Sequence, residues 1–214
     1  MKLDPGFVDA WAALSLASSL SLQNDRAVEA LRKAQGAQAY VPMTVLAEYW
    51  LATRFKDHPA GAAVLRKGLD SYPGSLIFLS YLGEHLNITR QFQEALAVWN
   101  RYLAAVNQSP YALSQKGYSM ARLGSEEDAI SLSRLAVAED PKNLFIELEL
   151  ASRLVDAGQL KEAEVLLEAM VKKPRVFGEV LSRLGYVYLL EGRNDAAEPM
   201  LNRALALATG PSEW

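Results

Sequence analysis

Small and bulky apolar residues recur along the chain at a constant interval, and this pattern predicts its elements. In its first occurrence a small residue, a bulky apolar residue and a second small residue follow one another as Ala27, Leu31 and Ala34. The spacing i, i+4, i+7 marks one face of a helix. The first member returns every 34 residues without insertion, at Ala27, Gly61, Ala95, Ala129, Ala163 and Ala197. The pattern therefore predicts six helices whose small residues lie against a neighbouring helix.

A second apolar pattern precedes the first at a fixed offset and predicts another helix in each unit. Its clearest copies are Leu79, Leu82, Gly83 and Leu86, and Leu181, Leu184, Gly185 and Tyr188. Gly124, Gly158 and Gly192 fall between the two helices of the last three units, where a helix C-cap favours positive φ. The predicted helices are 8–21, 25–37, 42–55, 59–71, 76–88, 92–105, 110–123, 126–138, 144–157, 160–172, 177–190 and 194–208.

Together the two patterns resemble the tetratricopeptide repeat (TPR) over nearly the whole chain. The resemblance implies an all-α fold, a right-handed superhelical solenoid of antiparallel helix hairpins. It also implies one continuous array. We divide it into residues 1–7 as the tail of a preceding repeat, then repeats at 8–41, 42–75, 76–109, 110–143, 144–177 and 178–214.

Several positions depart from the repeat pattern. Glu48 and Tyr49 replace the expected Leu and Gly, Ser133 replaces a bulky apolar residue, and Glu147 stands where the first large residue belongs. Two interpretations remain open: the neighbours compensate for these polar groups, or the array has a locally looser joint in the second or fourth unit.

Both ends of the sequence read as if the array continued. Leu3, Asp4 and Pro5 share the phase of the ends of later units, and Leu201, Leu205 and Leu207 precede Thr209-Gly210-Pro211 without a polar capping helix. An uncapped end exposes apolar surface. We therefore expect a segment of a longer protein, or self-association or partner binding through the last helix.

Composition and charge exclude several classes of partner and binding site. The formal net charge is −3, which argues against a broad nucleic-acid surface and a polybasic anchor. Cysteine is absent, so disulfides and Cys-based metal sites are excluded. Since every apolar run is short, we expect no membrane insertion and a soluble protein. The compartment stays open between the cytoplasm and the bacterial periplasm.

The resemblance also implies where a partner would bind, because the first helix of each TPR unit lines a concave groove. At the matching positions aromatic side chains and arginines stand out, the residue types of binding hot spots. The candidate groove residues are Met43, Leu46, Trp50, Arg54, Ile77, Glu84, Tyr111, Tyr118, Arg122, Phe145 and Tyr186. The Lys and Asn of the carboxylate clamp in co-chaperone TPR domains are missing from the corresponding positions.

Residues for catalysis are sparse. The two histidines, His58 and His85, have neither metal-ligand spacing nor Cys partners, and the glycines are spread singly over the repeat turns rather than in a phosphate loop. We expect no enzymatic activity, no cofactor and no metal.

Two functions follow from these observations. The first is a protein-interaction scaffold that binds a peptide or helix of a partner in its groove. The alternative is an assembly segment of a larger bacterial envelope protein for polysaccharide export or secretion. The charge and the 34-residue period oppose a third interpretation, helical-repeat RNA binding.

Overall fold

The structure is a computed structural model, and it describes residues 5–36, 41–174 and 177–209. Within these ranges the chain forms twelve α-helices and no strand. The helices are α1 Pro5–Leu20, α2 Asn24–Gly36, α3 Pro42–Arg54, α4 His58–Ser71, α5 Leu76–Ile88, α6 Phe92–Ala105, α7 Pro110–Arg122, α8 Glu126–Glu139, α9 Leu144–Asp156, α10 Leu160–Val171, α11 Gly178–Leu190 and α12 Asn194–Thr209.

These helices confirm the all-α fold and the twelve predicted elements. The largest difference is at the start of α1, which begins at Pro5 rather than residue 8. Proline is tolerated in a first helical turn, where its missing N–H would have no partner. The remainder of the predicted tail at residues 1–4, and Gly210 and Pro211 at the other end, lie outside the described residues.

Two compact units make up the chain, residues 1–107 with α1 to α6 and residues 108–214 with α7 to α12. Each unit contains three helix hairpins. In the second unit a continuous core extends over Leu154, Leu167, Leu184 and Ala197, all nearly inaccessible to solvent. In the first unit Trp99, Phe78, Leu65 and Leu86 are fully buried.

Small residues set the distance between the helices of a hairpin. The six recurring small residues, from Ala27 to Ala197, are all buried. Gly83, a small residue on the first helix of its hairpin, shows how close the two helices are. A Cβ atom there would lie 2.4 Å from the Trp99 ring. Because Trp99 is completely buried, the ring has no space to withdraw.

The turn inside every hairpin has one residue in the left-handed backbone conformation, always at the same position of the repeat. Positive φ angles occur at Leu22 (63°), Lys56 (59°) and Arg90 (62°), and at Gly124 (90°), Gly158 (74°) and Gly192 (74°). These six positions are 34 residues apart. The glycines adopt this conformation without penalty, whereas each of the three side-chain-bearing residues costs about 1–2 kcal/mol.

The polar departures from the repeat pattern have partners. Ser133 accepts a hydrogen bond from Nε of Arg153 at 2.6 Å. Glu147 forms an ion pair with Lys173. Glu48 accepts a hydrogen bond from Gln35 at 2.9 Å. These contacts support the interpretation that neighbouring residues compensate for the departures.

The last helix leaves apolar side chains accessible. Leu205 is 62% exposed and Leu207 is 53% exposed. Self-association through this helix stays a prediction. In the described part of the chain, no helix has both the length and the apolar character needed to cross a membrane.

Candidate partner-binding groove

A groove of about 570 Å³ lies across the first helices of the three hairpins of the second unit, α7, α9 and α11. Position 2, 5 or 6 of one helix lies beside the same position of the next, because the three helices share the 34-residue phase. The lining residues are Tyr111, Ser114, Gln115, Phe145, Ile146, Leu148, Glu149, Ser152, Glu179, Ser182, Arg183 and Tyr186.

Three aromatic side chains are accessible in the groove. Phe145 is 62% exposed, Tyr186 47% and Tyr111 38%. The Phe145 ring stacks on Phe177 with their centroids 5.2 Å apart and their planes 28° from parallel. This packing gives Phe145 a fixed ring face, which reduces the entropy that a bound partner would have to remove.

A buried arginine orients one acidic residue of the groove. Arg153 lies beneath the surface with its Nη2 2.8 Å from the Ser114 carbonyl oxygen and 3.2 Å from Oε2 of Glu149. Burial lowers the pKa of Arg153, while the charges of Glu149 and Asp156 oppose that shift. The guanidinium remains charged, because arginine cannot be deprotonated in proteins. Glu149 is therefore held by a fixed counter-charge.

Among the described residues that line the groove, one is basic, namely Arg183. It is half-buried, and across the described ranges it has neither an ion pair nor a side-chain hydrogen bond. The acidic Glu179 precedes it by one helical turn and is likewise unpaired within the same ranges. The groove thus presents two opposite charges next to an aromatic surface.

The structure gathers only part of the predicted site on this groove. Tyr111, Phe145 and Tyr186 line it together. Tyr118 lies instead beside Arg153, whose Cζ is 5.8 Å from the ring centroid. Arg122 lines a separate cleft of about 280 Å³ with Asp156.

The other predicted residues belong to the first unit. Leu46 is buried, and Met43 is partly buried against the Val8 and Ala12 core. Arg54 donates from Nε to Oδ1 of Asn24 at 3.3 Å. The remaining three differ in exposure: Ile77 is 47% exposed, and Trp50 and Glu84 are half-buried.

Trp50 belongs to an aromatic cluster in the first unit. Its ring lies edge-on to Tyr81 with 5.8 Å between centroids and to Tyr49 with 5.7 Å. Tyr49 also contacts His85, with 5.7 Å between the ring centroids. Burial raises the pKa of Tyr49 to about 12, helped by the negative charge of Glu84. Trp50 therefore packs on its neighbours with at least one side of its ring.

Sequence reasoning missed Gln115, Glu149 and Arg183 as groove residues. They occupy the sixth position of their units, next to the fifth positions Ser114, Leu148 and Ser182 that the family pattern places in the groove. The sequence signal that could have identified these three residues is their common position in the 34-residue repeat. Among the residues that the structure describes, no group of three or more His, Asp or Glu side chains could hold a metal ion.

Comparison with known proteins identifies the family. A family model of the tetratricopeptide repeat matches residues 54–110 and 148–212, more than half of the chain. A search of curated proteins finds no matching sequence.

Solved structures share the fold at low sequence identity. A TPR protein from Parabacteroides merdae is 12% identical with a TM-score of 0.80, over 99% of this chain and 82% of that one. PilW, a type IV pilus biogenesis factor, is 18% identical with a TM-score of 0.80, over 96% of both chains. PilF of Pseudomonas aeruginosa is 15% identical with a TM-score of 0.75, over 96% of this chain and 94% of that one. With its six helix hairpins and its match to the family model, the chain belongs to the tetratricopeptide repeat family.

Proposed function

We propose that this protein is a non-enzymatic scaffold that binds a segment of a partner protein in the groove of α7, α9 and α11. Tetratricopeptide repeats in general serve as protein–protein interaction scaffolds. The observation that carries the proposal for this chain is the set of exposed aromatic residues Tyr111, Phe145 and Tyr186, which converge on one groove of about 570 Å³. Aromatic side chains that a partner can desolvate dominate binding energy at interfaces.

The dimensions of the groove suit a short segment. Neighbouring packed helices lie about 8–10 Å apart, so three of them span about 20 Å. An extended peptide covers that distance with about six residues, and a helix with about thirteen. An apolar side chain of the segment would contact Phe145 at the centre, and its neighbours would contact Tyr111 and Tyr186.

The two groove charges that have no ion-pair partner among the described residues, Arg183 and Glu179, favour flanking residues of opposite charge in the partner. Arg183 is half-buried and unpaired within the described ranges, whereas Arg153 already neutralises Glu149. A carboxylate next to the apolar anchor would form a two-pronged pair with the Arg183 guanidinium. The partner segment is therefore expected to combine an apolar anchor with an acidic residue that faces Arg183 and a basic residue that faces Glu179.

A phage-displayed random peptide library tests the proposal. Peptides selected on the wild-type protein are expected to carry apolar anchors, and the double variant Phe145→Ala/Tyr186→Ala should weaken their binding by more than about tenfold, since each truncation removes a hot-spot contact. The matched control is Leu135→Ala/Val165→Ala, which truncates exposed apolar side chains of α8 and α10. Circular dichroism verifies that both variants keep their helices.

Two results would contradict the proposal. One is an absence of selected peptides, and the other is equal binding by the groove variant and the control. The alternative function, assembly within a bacterial envelope, remains a prediction. PilW, a type IV pilus biogenesis factor, illustrates an assembly role, but an identity of 18% relates this chain to it by fold alone. Binding to a glycan array, abolished by the groove substitutions, would favour that alternative.

A further inference from the structure

The hairpin turns of the first unit retain side chains at a position where the second unit has glycine. Leu22, Lys56 and Arg90 adopt the left-handed conformation with φ near 60°. Glycine would relieve the backbone strain at each of them, as it does in the later repeats. Strain that persists in three successive repeats points to a use for these side chains.

The three turns lie next to one another. We define the turn edge as residues 20–23, 54–57 and 88–91. Arg54 donates to Asn24 at 3.3 Å, which ties the second turn to the first hairpin. His85 Nε2 lies 2.9 Å from the His58 carbonyl oxygen, which ties the end of α5 to the start of α4.

Large apolar side chains project from each segment of the turn edge. Leu20 is 61% exposed, Leu22 63%, Phe55 56% and Ile88 70%. These exposed fractions are among the highest of the large apolar residues in the described part of the chain. Each of the three segments therefore contributes at least one apolar side chain to the solvent.

Basic residues share two of these turns with the apolar residues. The turn edge has three basic residues, Arg54, Lys56 and Arg90, and one acidic residue, Asp57, within a chain whose net charge is −3. Asp57 is engaged in capping α4, where it accepts a hydrogen bond from the Ala60 N–H at 3.1 Å. Lys56 and Arg90 are exposed and make no ion pair with any described residue. With three basic residues and one acidic residue, the turn edge has a formal charge of +2.

We propose that the turn edge of the first unit docks on an anionic membrane surface. Phe55, Leu22 and Ile88 insert at the boundary between headgroups and acyl chains, which revises the expectation from the sequence that the chain does not insert into a membrane. Arg54, Lys56 and Arg90 contact the phosphate and carboxylate groups of the lipids. This surface belongs to a different unit from the groove, so the inference goes beyond the proposed function and does not depend on it.

The arrangement fits a lipid surface better than a protein. The apolar side chains are 56–70% exposed on three turns, and two of these turns also carry cations. A protein partner requires a continuous desolvated centre, because its binding energy is concentrated in closely packed residues. Lipid headgroups rearrange around separate apolar points, and anionic lipids attract each nearby Lys or Arg.

Vesicle co-sedimentation tests the proposal. The intact protein is expected to sediment with vesicles of phosphatidylcholine containing phosphatidylserine, to bind pure phosphatidylcholine vesicles much more weakly, and to be released by added salt. The triple variant Leu22→Gly/Lys56→Gly/Arg90→Gly should bind the anionic vesicles about twentyfold or more weakly, since each lost cation reduces partitioning about fivefold. The same variant should melt at a higher temperature, because glycine relieves the three strained turns.

The matched control removes the same types of side chain elsewhere. Leu135→Ala/Lys142→Ala/Lys172→Ala takes one exposed leucine and two lysines from the second unit and should bind as the wild type does. Equal binding to neutral and anionic vesicles, no binding to either, or undiminished binding of the glycine variant would overturn the proposal. So would capture of a polyglutamate peptide without any vesicle binding, because the surface would then serve an acidic protein.

Discussion

At the scale of single residues, Arg153 explains a departure that the repeat pattern leaves unexplained. Arg153 is 6% exposed, and its guanidinium contacts Ser133 on α8 and the Ser114 carbonyl oxygen on α7. One repeat later, the corresponding pair is Leu167 and Val187. A serine in place of the usual leucine provides both the space and the acceptor that a buried guanidinium needs.

The pair predicts strong coupling between the two positions. Ser133→Leu alone should lower the free energy of unfolding by about 2–3 kcal/mol, because it leaves the Arg153 Nε–H buried without an acceptor. The double variant Ser133→Leu/Arg153→Val should return to within about 1 kcal/mol of the wild type, since it restores an apolar contact. Urea unfolding followed by circular dichroism measures the cycle. Additive costs of the two substitutions would show that the residues are not coupled.

His85 predicts a dependence of stability on pH. It is 2% exposed, and burial lowers its pKa, while its hydrogen bond to the His58 carbonyl oxygen opposes that shift. His58 and Arg66 lie on the facing helix α4 and contribute positive charge that lowers the pKa further. Tyr49 faces the imidazole from α3.

The direction in which stability changes with pH follows from the lowered pKa of His85. As pH falls below about 6.5, the unfolded chain takes up a proton that the folded chain does not, so stability decreases by at most about 1.4 kcal/mol per pH unit for this group. The loss ends when pH reaches the depressed pKa of the folded state. Thermal unfolding of wild type and His85→Gln between pH 8 and pH 5, a range that spans the ordinary histidine pKa of about 6.5, isolates the effect. A parallel decline in both proteins would exclude His85 as its source.

At the scale of elements, the hairpin turn has one conformation and two solutions in sequence. Gly158 has a φ of 74°, and a Cβ atom added to it would meet no other atom within 4 Å, so space does not require the glycine. The left-handed backbone conformation at this position is what requires the glycine. Gly158→Ala should cost about 1–2 kcal/mol through the left-handed backbone alone.

A control separates this backbone effect from the effect of the added methyl group itself. Gly74→Ala adds the same methyl group at another site with free space and without a positive φ, and it should leave the melting temperature nearly unchanged. Differential scanning calorimetry compares the two variants. Equal melting temperatures would mean that the turn tolerates a Cβ atom, and the strain assigned to Leu22, Lys56 and Arg90 would then be smaller than expected.

The elements also show how much the sequence could predict. Helix bounds followed from the period, because each hairpin repeats the same packing and turn. The strained turns were in phase with Gly124, Gly158 and Gly192, yet Leu22, Lys56 and Arg90 lack the glycine that signals positive φ.

The groove was predicted in part for a related reason. Tyr111, Phe145 and Tyr186 occupy positions that the family pattern places on the concave face. Arg183 and Glu149 occupy a position whose accessibility depends on side-chain length and on neighbours such as Arg153, which is 20 residues from Ser133 and 39 from Ser114. Contacts over such distances have no signature in a single sequence.

At the scale of the whole molecule, each of the two compact units has its own core. Repeat arrays are stabilised by contacts between neighbouring repeats, so three complete hairpins can form a stable fragment. We expect residues 108–214 alone to be as helical per residue as the full chain and to retain peptide binding in the groove. Far-ultraviolet circular dichroism and the peptides selected on the wild type provide the measurements.

A fragment cut within a hairpin is the matched control. Residues 125–214 lack α7, which leaves α8 without its partner and removes Tyr111 from the groove. This fragment should lose helix content beyond the deleted residues and should not bind the peptides. If residues 108–214 were largely unfolded, three hairpins would not be sufficient for this part of the chain to fold by itself.

The link from Arg153 to Ser133 and Ser114 also bears on how such a chain can evolve. An uninterrupted period allows a hairpin to be duplicated or lost by recombination at equal phases, since the new junction keeps the register. This link joins the fourth repeat to the fifth, so a crossover between them would bring a buried arginine against a leucine. Recombinants that transmit both repeats together should therefore survive more often than those that separate them, which makes the joint, rather than the single repeat, the heritable module at this point of the array.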